Sequence, residues 1–176
     1  METILETARL RLEPWRLEHL DGLNVMSGDP RVMKYVGGVI RTREETAAAI
    51  ERQRGRWEVH GFGWWSFIER AGDELVGAGC IQHVAGNPAN PLEIGWRLRP
   101  DRWGLGLATE AATAMAGFAF ERLDVEILLA VAVPENTASR RVMERLGMRY
   151  RGLESWYDMD VATYEITVAE WRSRQA

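Results

Sequence analysis

Cysteine is nearly absent from this chain, with Cys80 alone among 176 residues. An intramolecular disulfide is therefore excluded, and the small, apolar run around Cys80 marks a buried thiol rather than a nucleophile. Long apolar runs are missing too. The longest, Ile127 to Val133, is far too short to span a bilayer, and Met1 to Glu6 lack the basic start and apolar run of a secretory leader. A cytoplasmic location is expected. There is no basic block. With 22 Lys and Arg against 26 Asp and Glu, a formal net charge of −4 argues against nucleic acid and anionic membranes as main partners and leaves cationic or amine-bearing substrates open. Repeats, linkers and low-complexity segments are also lacking.

What is present suffices for one folded domain over residues 1–176, since 46% hydrophobic residues in a chain this long can bury a continuous core. Arg9 to Glu13 alternates polar and apolar before Pro14, the period of a strand. Leu17, Leu20 and Leu23 recur at helical spacing from Arg16 to Met26, and Gly28-Asp29-Pro30 stops that helix and can cap a short second one. Thr42-Arg43-Glu44-Glu45 fits a capping box and opens a helix to about His60, ended at Gly61-Phe62-Gly63. Two strands follow, Trp64 to Glu69 and Leu75 to Val84, joined at Ala71-Gly72-Asp73, with a bulge or added twist expected near Gly77 and Gly79. A strand over Leu92 to Leu98, a helix carrying Leu107, Ala111, Met115, Phe118 and Leu123, and a buried strand over Glu126 to Val133 form a parallel βαβ unit. Asn136 to Leu146 reads as a helix closed by Gly147, and strands near Met148 to Leu153 and Tyr157 to Val168 finish the chain.

Trp103-Gly104-Leu105-Gly106-Leu107-Ala108-Thr109-Glu110 carries the most chemistry. Two glycines in one turn let the backbone approach a ligand closely, and the helix that follows adds the partial positive charge of its N-terminus, so an anionic group is the natural occupant. Where an antiparallel front half meets a parallel βαβ unit, a crevice opens at the carboxyl end of the strand before that turn, a usual place for ligands.

Four segments in this order make the sequence similar to a known family. They are Thr7 to Leu12; Glu93-Ile94-Gly95-Trp96 leading into Trp103 to Ala111; Asn136-Thr137-Ala138-Ser139 with Val142 to Met148; and the closing Tyr164 to Trp171. Over nearly its whole length the chain resembles the GNAT N-acetyltransferase superfamily, within it the RimJ/RimL-like group that acetylates protein N-termini and related amines. The resemblance implies an α+β fold, a three-layer arrangement whose mixed, mostly antiparallel central sheet of about seven strands is flanked by helices and splayed where acetyl-CoA binds. It implies that Trp103, Gly104, Leu105, Gly106, Leu107, Ala108 and Thr109 hold the pyrophosphate. The backbone of Trp96, Arg97 and Leu98 would pair with the pantetheine arm, and an N–H near Leu98 would stabilise the oxyanion. Family members usually begin the turn with Arg or Gln; here Trp103 stands there, with Arg102 before it as a further phosphate ligand or a solvated loop arginine.

Asn136 is either only a helix N-cap or, by the same resemblance, a contact to the pantetheine or a bound water. The tyrosine that in many relatives protonates the leaving thiolate is replaced by Met143. Ser139, one turn into the helix, is the candidate donor to the sulfur, a modest task because a thiol pKa is about 8.5. Glu93 is the candidate base, on the strand face that also carries Gly95 and Arg97; His83 is the second candidate, and water the third. Among eight tryptophans most belong to the core. Trp64 and Trp65 point to opposite sheet faces, so at most one can wall the acceptor side, and Asp158 and Asp160 could hold an ammonium group. The implied reaction is direct acetyl transfer from acetyl-CoA to a primary amine of a peptide N-terminus or small molecule, with Cys80 a bystander, no metal, and a monomer or homodimer. A non-catalytic acyl-CoA-binding or sensing module, and a nucleotide-binding α/β protein unrelated to acyl transfer, are the alternatives.

Overall fold

A computed structural model describes residues 3–175; Met1 and Glu2, part of the leader reading, and Ala176 lie outside the described residues. The strands are β1 (Leu5–Glu6), β2 (Leu10–Pro14), β3 (Trp64–Glu69), β4 (Glu74–His83), β5 (Leu92–Leu98), β6 (Ile127–Ala132), β7 (Arg149–Trp156) and β8 (Met159–Thr167). The helices are α1 (Leu20–Ser27), α2 (Pro30–Met33), α3 (Arg43–His60), α4 (Leu107–Arg122), α5 (Thr137–Arg145) and α6 (Val168–Gln175). The fold is α+β, one mixed sheet in the order β1-β2-β3-β4-β5-β6-β8-β7. The chain divides into two compact units, residues 1–80 with 96–114 and residues 81–95 with 115–176.

In the first unit β1 to β4 pair antiparallel in sequence order, β1–β2 and β3–β4 through short turns and β2–β3 across the segment that holds α1 to α3. Leu10 and Leu12 of β2, Trp65 and Phe67 of β3 and Val76 and Ala78 of β4 are buried. A second apolar cluster gathers Trp15, just after β2, with Leu23, Met26, Val32, Ala49 and Ile50 from α1, α2 and α3. The capping box forms as expected: Thr42 Oγ1 accepts from the Glu45 N–H at 3.2 Å, and a Glu45 carboxylate oxygen accepts from the Thr42 N–H at 2.8 Å. The helix expected from Arg16 begins instead with a 3-10 turn over Leu17–His19 before α1.

The bulge falls on the strand that carries the two glycines. Phe67 pairs with Gly77 and Ile68 with Leu75, which leaves Val76 as the extra residue. Gly77 is required there by close approach. A Cβ would stand 2.4 Å from Leu98 Cδ2, 2.7 Å from Phe67 Cδ2 and 2.9 Å from the Arg97 carbonyl oxygen. This glycine therefore sets how tightly the end of β5 lies against β4.

In the second unit β6 pairs antiparallel with β8 at six positions, Ile127 to Ala132, and β8 with β7. The parallel pair β5–β6 is registered at one position, Glu93 with Leu129. Asn136 caps α5, and Gly147 closes it with φ +86° while the Met148 N–H reaches the Met143 carbonyl at 3.0 Å.

Two further elements differ from the sequence reading. The sheet has eight strands rather than about seven, because the two-residue edge strand β1 is too short to show a period. The last strand ends at Thr167, and the remaining residues form α6, opened by Thr167 and Glu170: the Glu170 carboxylate accepts from the Thr167 N–H at 2.9 Å, and Thr167 Oγ1 accepts from the Glu170 N–H at 3.3 Å. Overpacking predicts that Gly77→Ala lowers stability by about 1–3 kcal/mol, several degrees in Tm for a chain of this size, measured by thermal denaturation. A substitution that leaves Tm unchanged would mean that β4 and β5 part freely.

Candidate active site

In the first unit the glycine turn has the geometry of an anion cradle. Gly104 and Gly106 adopt φ +74° and +79°, a region closed to most side chains, and a Cβ built on Gly104 would meet nothing within 4 Å. The first hydrogen bond of α4 runs from the Glu110 N–H to the Gly106 carbonyl at 3.1 Å, so the N–H groups of Leu107, Ala108 and Thr109 have no intrahelical acceptor. Thr109 Oγ1 is buried and has no hydrogen-bond partner among the described residues. Trp103 is half exposed, and its indole N–H donates to the Leu98 carbonyl at 2.9 Å, tying the turn to the end of β5. Leu105 is exposed, Leu107 fully buried, and Ala108 is half-buried. A phosphate fits such a cradle.

Glu110 holds the turn in place. Its carboxylate accepts from Thr7 Oγ1 at 2.6 Å, from the Arg9 N–H at 2.8 Å and from Arg9 Nε at 2.7 Å, while Arg9 Nη1 donates to the Leu105 carbonyl at 2.9 Å. Burial pushes its pKa up, but these donors outweigh it and hold the carboxyl below its ordinary value. Arg102 serves a different end from the phosphate contact considered for it. It is committed to Glu69 at 3.0 Å, Glu74 at 3.1 Å and Asp101 at 2.7 Å.

On β5, Trp96 is half-buried, whereas Leu98 and Arg97 are buried. The Arg97 guanidinium lies 5.8 Å from the Trp15 ring and 5.5 Å from the Trp64 ring. Trp64 is thus the tryptophan of the pair that meets the guanidinium, while the Trp65 indole N–H donates to the Thr3 carbonyl at 3.0 Å. Trp65 is fully buried, packed edge-on against Trp57.

In the second unit Glu93 sits in a cluster of neutral donors. Gln82 Nε2 donates to Glu93 Oε1 at 2.9 Å, and the Tyr157 hydroxyl donates to the same oxygen. Glu93 Oε2 takes no bond among the described residues. Desolvation by burial pushes the carboxyl above its ordinary range, against the two donors. Burial and the adjacent carboxylate likewise raise the Tyr157 phenol. Tyr157 is the residue that sequence reasoning missed. It and Asp158 adopt φ +57° and +58° in the two-residue turn between β7 and β8, where Asn-Gly is the usual choice, and only the folded chain brings this tyrosine to Glu93.

Of the other candidates in this unit, His83 Nδ1 lies 2.8 Å from the Asn90 carbonyl, an anchor for the loop between β4 and β5. Asn136 Oδ1 accepts from the Ser139 N–H at 3.2 Å, so its side chain caps α5. Ser139 is half-buried in the first turn, and its hydroxyl makes no hydrogen bond among the described residues. Met143 is 2% exposed, a core residue. Cys80, at the end of the first unit's share of β4, is buried. Among the described residues no three His, Cys, Asp or Glu side chains gather as metal ligands, and no helix is long and apolar enough to cross a membrane.

Residues 9–149 match the model of the acetyltransferase (GNAT) domain. The chain is 31% identical to the FsC-acetyl coenzyme A-N(2)-transacetylase of Aspergillus fumigatus, over 97% of this chain and 79% of that protein. It resembles the crystal structure of a GNAT-family acetyltransferase from Bacillus anthracis, with a TM-score of 0.81 and 25% identity over 95% of this chain and 99% of that one. RimL, a ribosomal L7/L12 alpha-N-protein acetyltransferase, shares the fold at a TM-score of 0.77 and 18% identity, over 95% of each chain.

The buried carboxyl of Glu93 gives a test that needs no substrate. Because its pKa is raised in the fold, its contribution to stability is full below the ordinary value of 4.5 and is lost as pH rises through the raised value. Glu93→Gln should flatten the fall of Tm with pH above that point and leave Tm at pH 7 at or above that of the parent. A lower Tm at pH 7 would mean that the carboxylate is a necessary structural partner.

Proposed function

Because the chain belongs to the GNAT N-acetyltransferase superfamily, with RimJ/RimL-like relatives, we propose that it acetylates a primary amine by direct attack, the amine of a protein N-terminus or of a small molecule. Acetyl-CoA supplies the acetyl group as an activated thioester. The turn from Trp103 to Thr109 binds the pyrophosphate through the backbone N–H groups of Gly104 to Thr109, the N-terminus of α4 and the Thr109 hydroxyl, the Trp103 N–H being given to the Pro100 carbonyl at 3.3 Å. Trp96, Arg97 and Leu98 offer their backbone to the pantetheine arm, and Asn136 supports it from the start of α5. One observation carries this reading: a glycine turn held in left-handed backbone, with an unbonded buried hydroxyl and unpaired helix N–H groups around it.

Glu93 Oε2 accepts the proton of the attacking amine, while Gln82 and Tyr157 hold Oε1. Neutral donors suit a base, because they fix its position without clamping its charge as an arginine would. At neutral pH an α-amine costs roughly 1 kcal/mol to deprotonate and a lysine amine about 4–5 kcal/mol, so this base favours α-amines. Ser139 donates its hydroxyl to the departing sulfur, which Met143, buried in the core, cannot do. Cys80 takes no part.

The decisive experiment is acetyl-CoA-dependent thiol release against peptides and small amines, with calorimetry of acetyl-CoA, CoA and NAD beside it. Turnover with an amine and preference for CoA over NAD are expected. Tight acyl-CoA binding without turnover would make the chain a sensing module, and equal binding of NAD would remove the acetyl-transfer reading. Glu93→Gln should lower kcat/KM by about 10²–10⁴. Ser139→Ala should lower kcat about tenfold, roughly 1.4 kcal/mol, with acetyl-CoA affinity unchanged; turnover at the parent rate would leave Ser139 without a role.

A further inference from the structure

Arg97 is a buried cation without a counter-charge. Its side chain is 6% exposed, and among the described residues no carboxylate pairs with it. Nη1 donates to Met33 Sδ at 3.2 Å, a weak acceptor, and Nη2 to Ser27 Oγ at 3.4 Å, near the limit of a hydrogen bond. Nε makes no bond. Arg41 adds a like charge nearby, the Cys80 thiol lies on the other side of the balance, and burial pulls the guanidinium down to about 10. The faces of Trp15 and Trp64 are the main compensation. Cation–π contacts recover only part of what removing a guanidinium from water costs. Acidic residues outnumber basic ones in this chain, so none being placed here is not a matter of supply.

The edge that carries the unbonded Nε–H, and on which Nη2 has only the long bond to Ser27, is a specific one. Nε–H and Nη2–H point the same way and form the side-on fork that receives both oxygens of a carboxylate. We propose that this fork is the acceptor's carboxylate subsite, so that the amine substrate is an amino-acid-like molecule whose carboxylate seats on Arg97 with Arg41 as a second cation. The proposal rests on the acetyl-transfer reading and narrows its acceptor. The same two residues that touch the guanidinium also hang the segment beside it: the Arg41 N–H donates to the Ser27 carbonyl and the Gly38 N–H to the Met33 carbonyl, both at 2.9 Å. That segment exposes Tyr35, Val39 and Ile40, an apolar border past which the acceptor's side chain would lie.

The test compares L-amino acids with their carboxamides as acceptors, in the wild type, Arg97→Met and Arg97→Lys. Beside it, calorimetry measures N-acetyl amino acids against N-acetyl amino acid amides, the corresponding products, so that binding is read without turnover. The wild type should prefer the carboxylate member at least tenfold in both assays. Arg97→Met should erase the preference and keep or raise Tm, since it removes an uncompensated buried charge; Arg97→Lys, which keeps the charge but not the fork, should retain only part of the preference. Equal use of carboxylates and carboxamides by the wild type would overturn the proposal. So would a preference that survives both substitutions, or a Tm several degrees lower in Arg97→Met with the ratio unmoved, the signature of a structural arginine. If no amine is acetylated at all, the acetyl-transfer reading fails, and the calorimetric ratio still decides whether Arg97 binds carboxylate.

Discussion

Two glycines in left-handed backbone are a weak basis for a binding site, because a segment with so little steric preference loses more conformational freedom on folding than any other. The Glu110 carboxylate supplies the missing constraint. It gathers Thr7 and the backbone and side chain of Arg9, and Arg9 returns to the Leu105 carbonyl inside the turn. A carboxylate in the first turn of α4 is itself favoured by the helix N-terminus, so the same residue that closes the clamp also suits its own helix. This bond set joins Thr7 and Arg9 to the turn between Trp103 and Glu110 across about a hundred residues of chain.

What surrounds each charged group separates scaffold from chemistry. Arg102 and Glu110 are enclosed by opposite charges, which fixes them in one ionisation state and one place. Glu93 is held by an amide and a phenol, both neutral, and its other oxygen takes no bond among the described residues. Arg97 is held by a sulfur, a hydroxyl and two aromatic faces. Groups of the first kind give geometry. Groups of the second kind retain charge or proton affinity for a ligand, at the cost of burying a polar group incompletely compensated.

Local rules made much of this legible in the sequence. The Thr42 capping box, the Asp29-Pro30 helix start and the Asn136 to Gly147 helix each depend on residues within a turn of one another, and each forms. The α6 start was equally local, since Thr167-Val168-Ala169-Glu170 is a second capping box, but the alternation of Tyr164 to Val168 runs through it and carries a strand reading past its end. Arg102 was beyond sequence reasoning because two of its three carboxylates, Glu69 and Glu74, come from β3 and β4. So was Tyr157, whose partner Glu93 is far away along the chain.

The Tyr157-Asp158 turn shows why that missing residue matters to the site. A two-residue hairpin with both central residues at positive φ is ordinarily Asn-Gly, because an L side chain there costs about 1–2 kcal/mol per residue. Here both positions carry side chains. Glycine would relieve the strain at either, but glycine at position 157 would remove the phenol from Glu93 Oε1. The buried carboxyl would then rest on Gln82 alone, with its proton affinity raised further by the loss of a donor to its charged form. A strained turn that retains a tyrosine therefore points to the hydrogen bond, and through it to Glu93, as what the turn is built to supply.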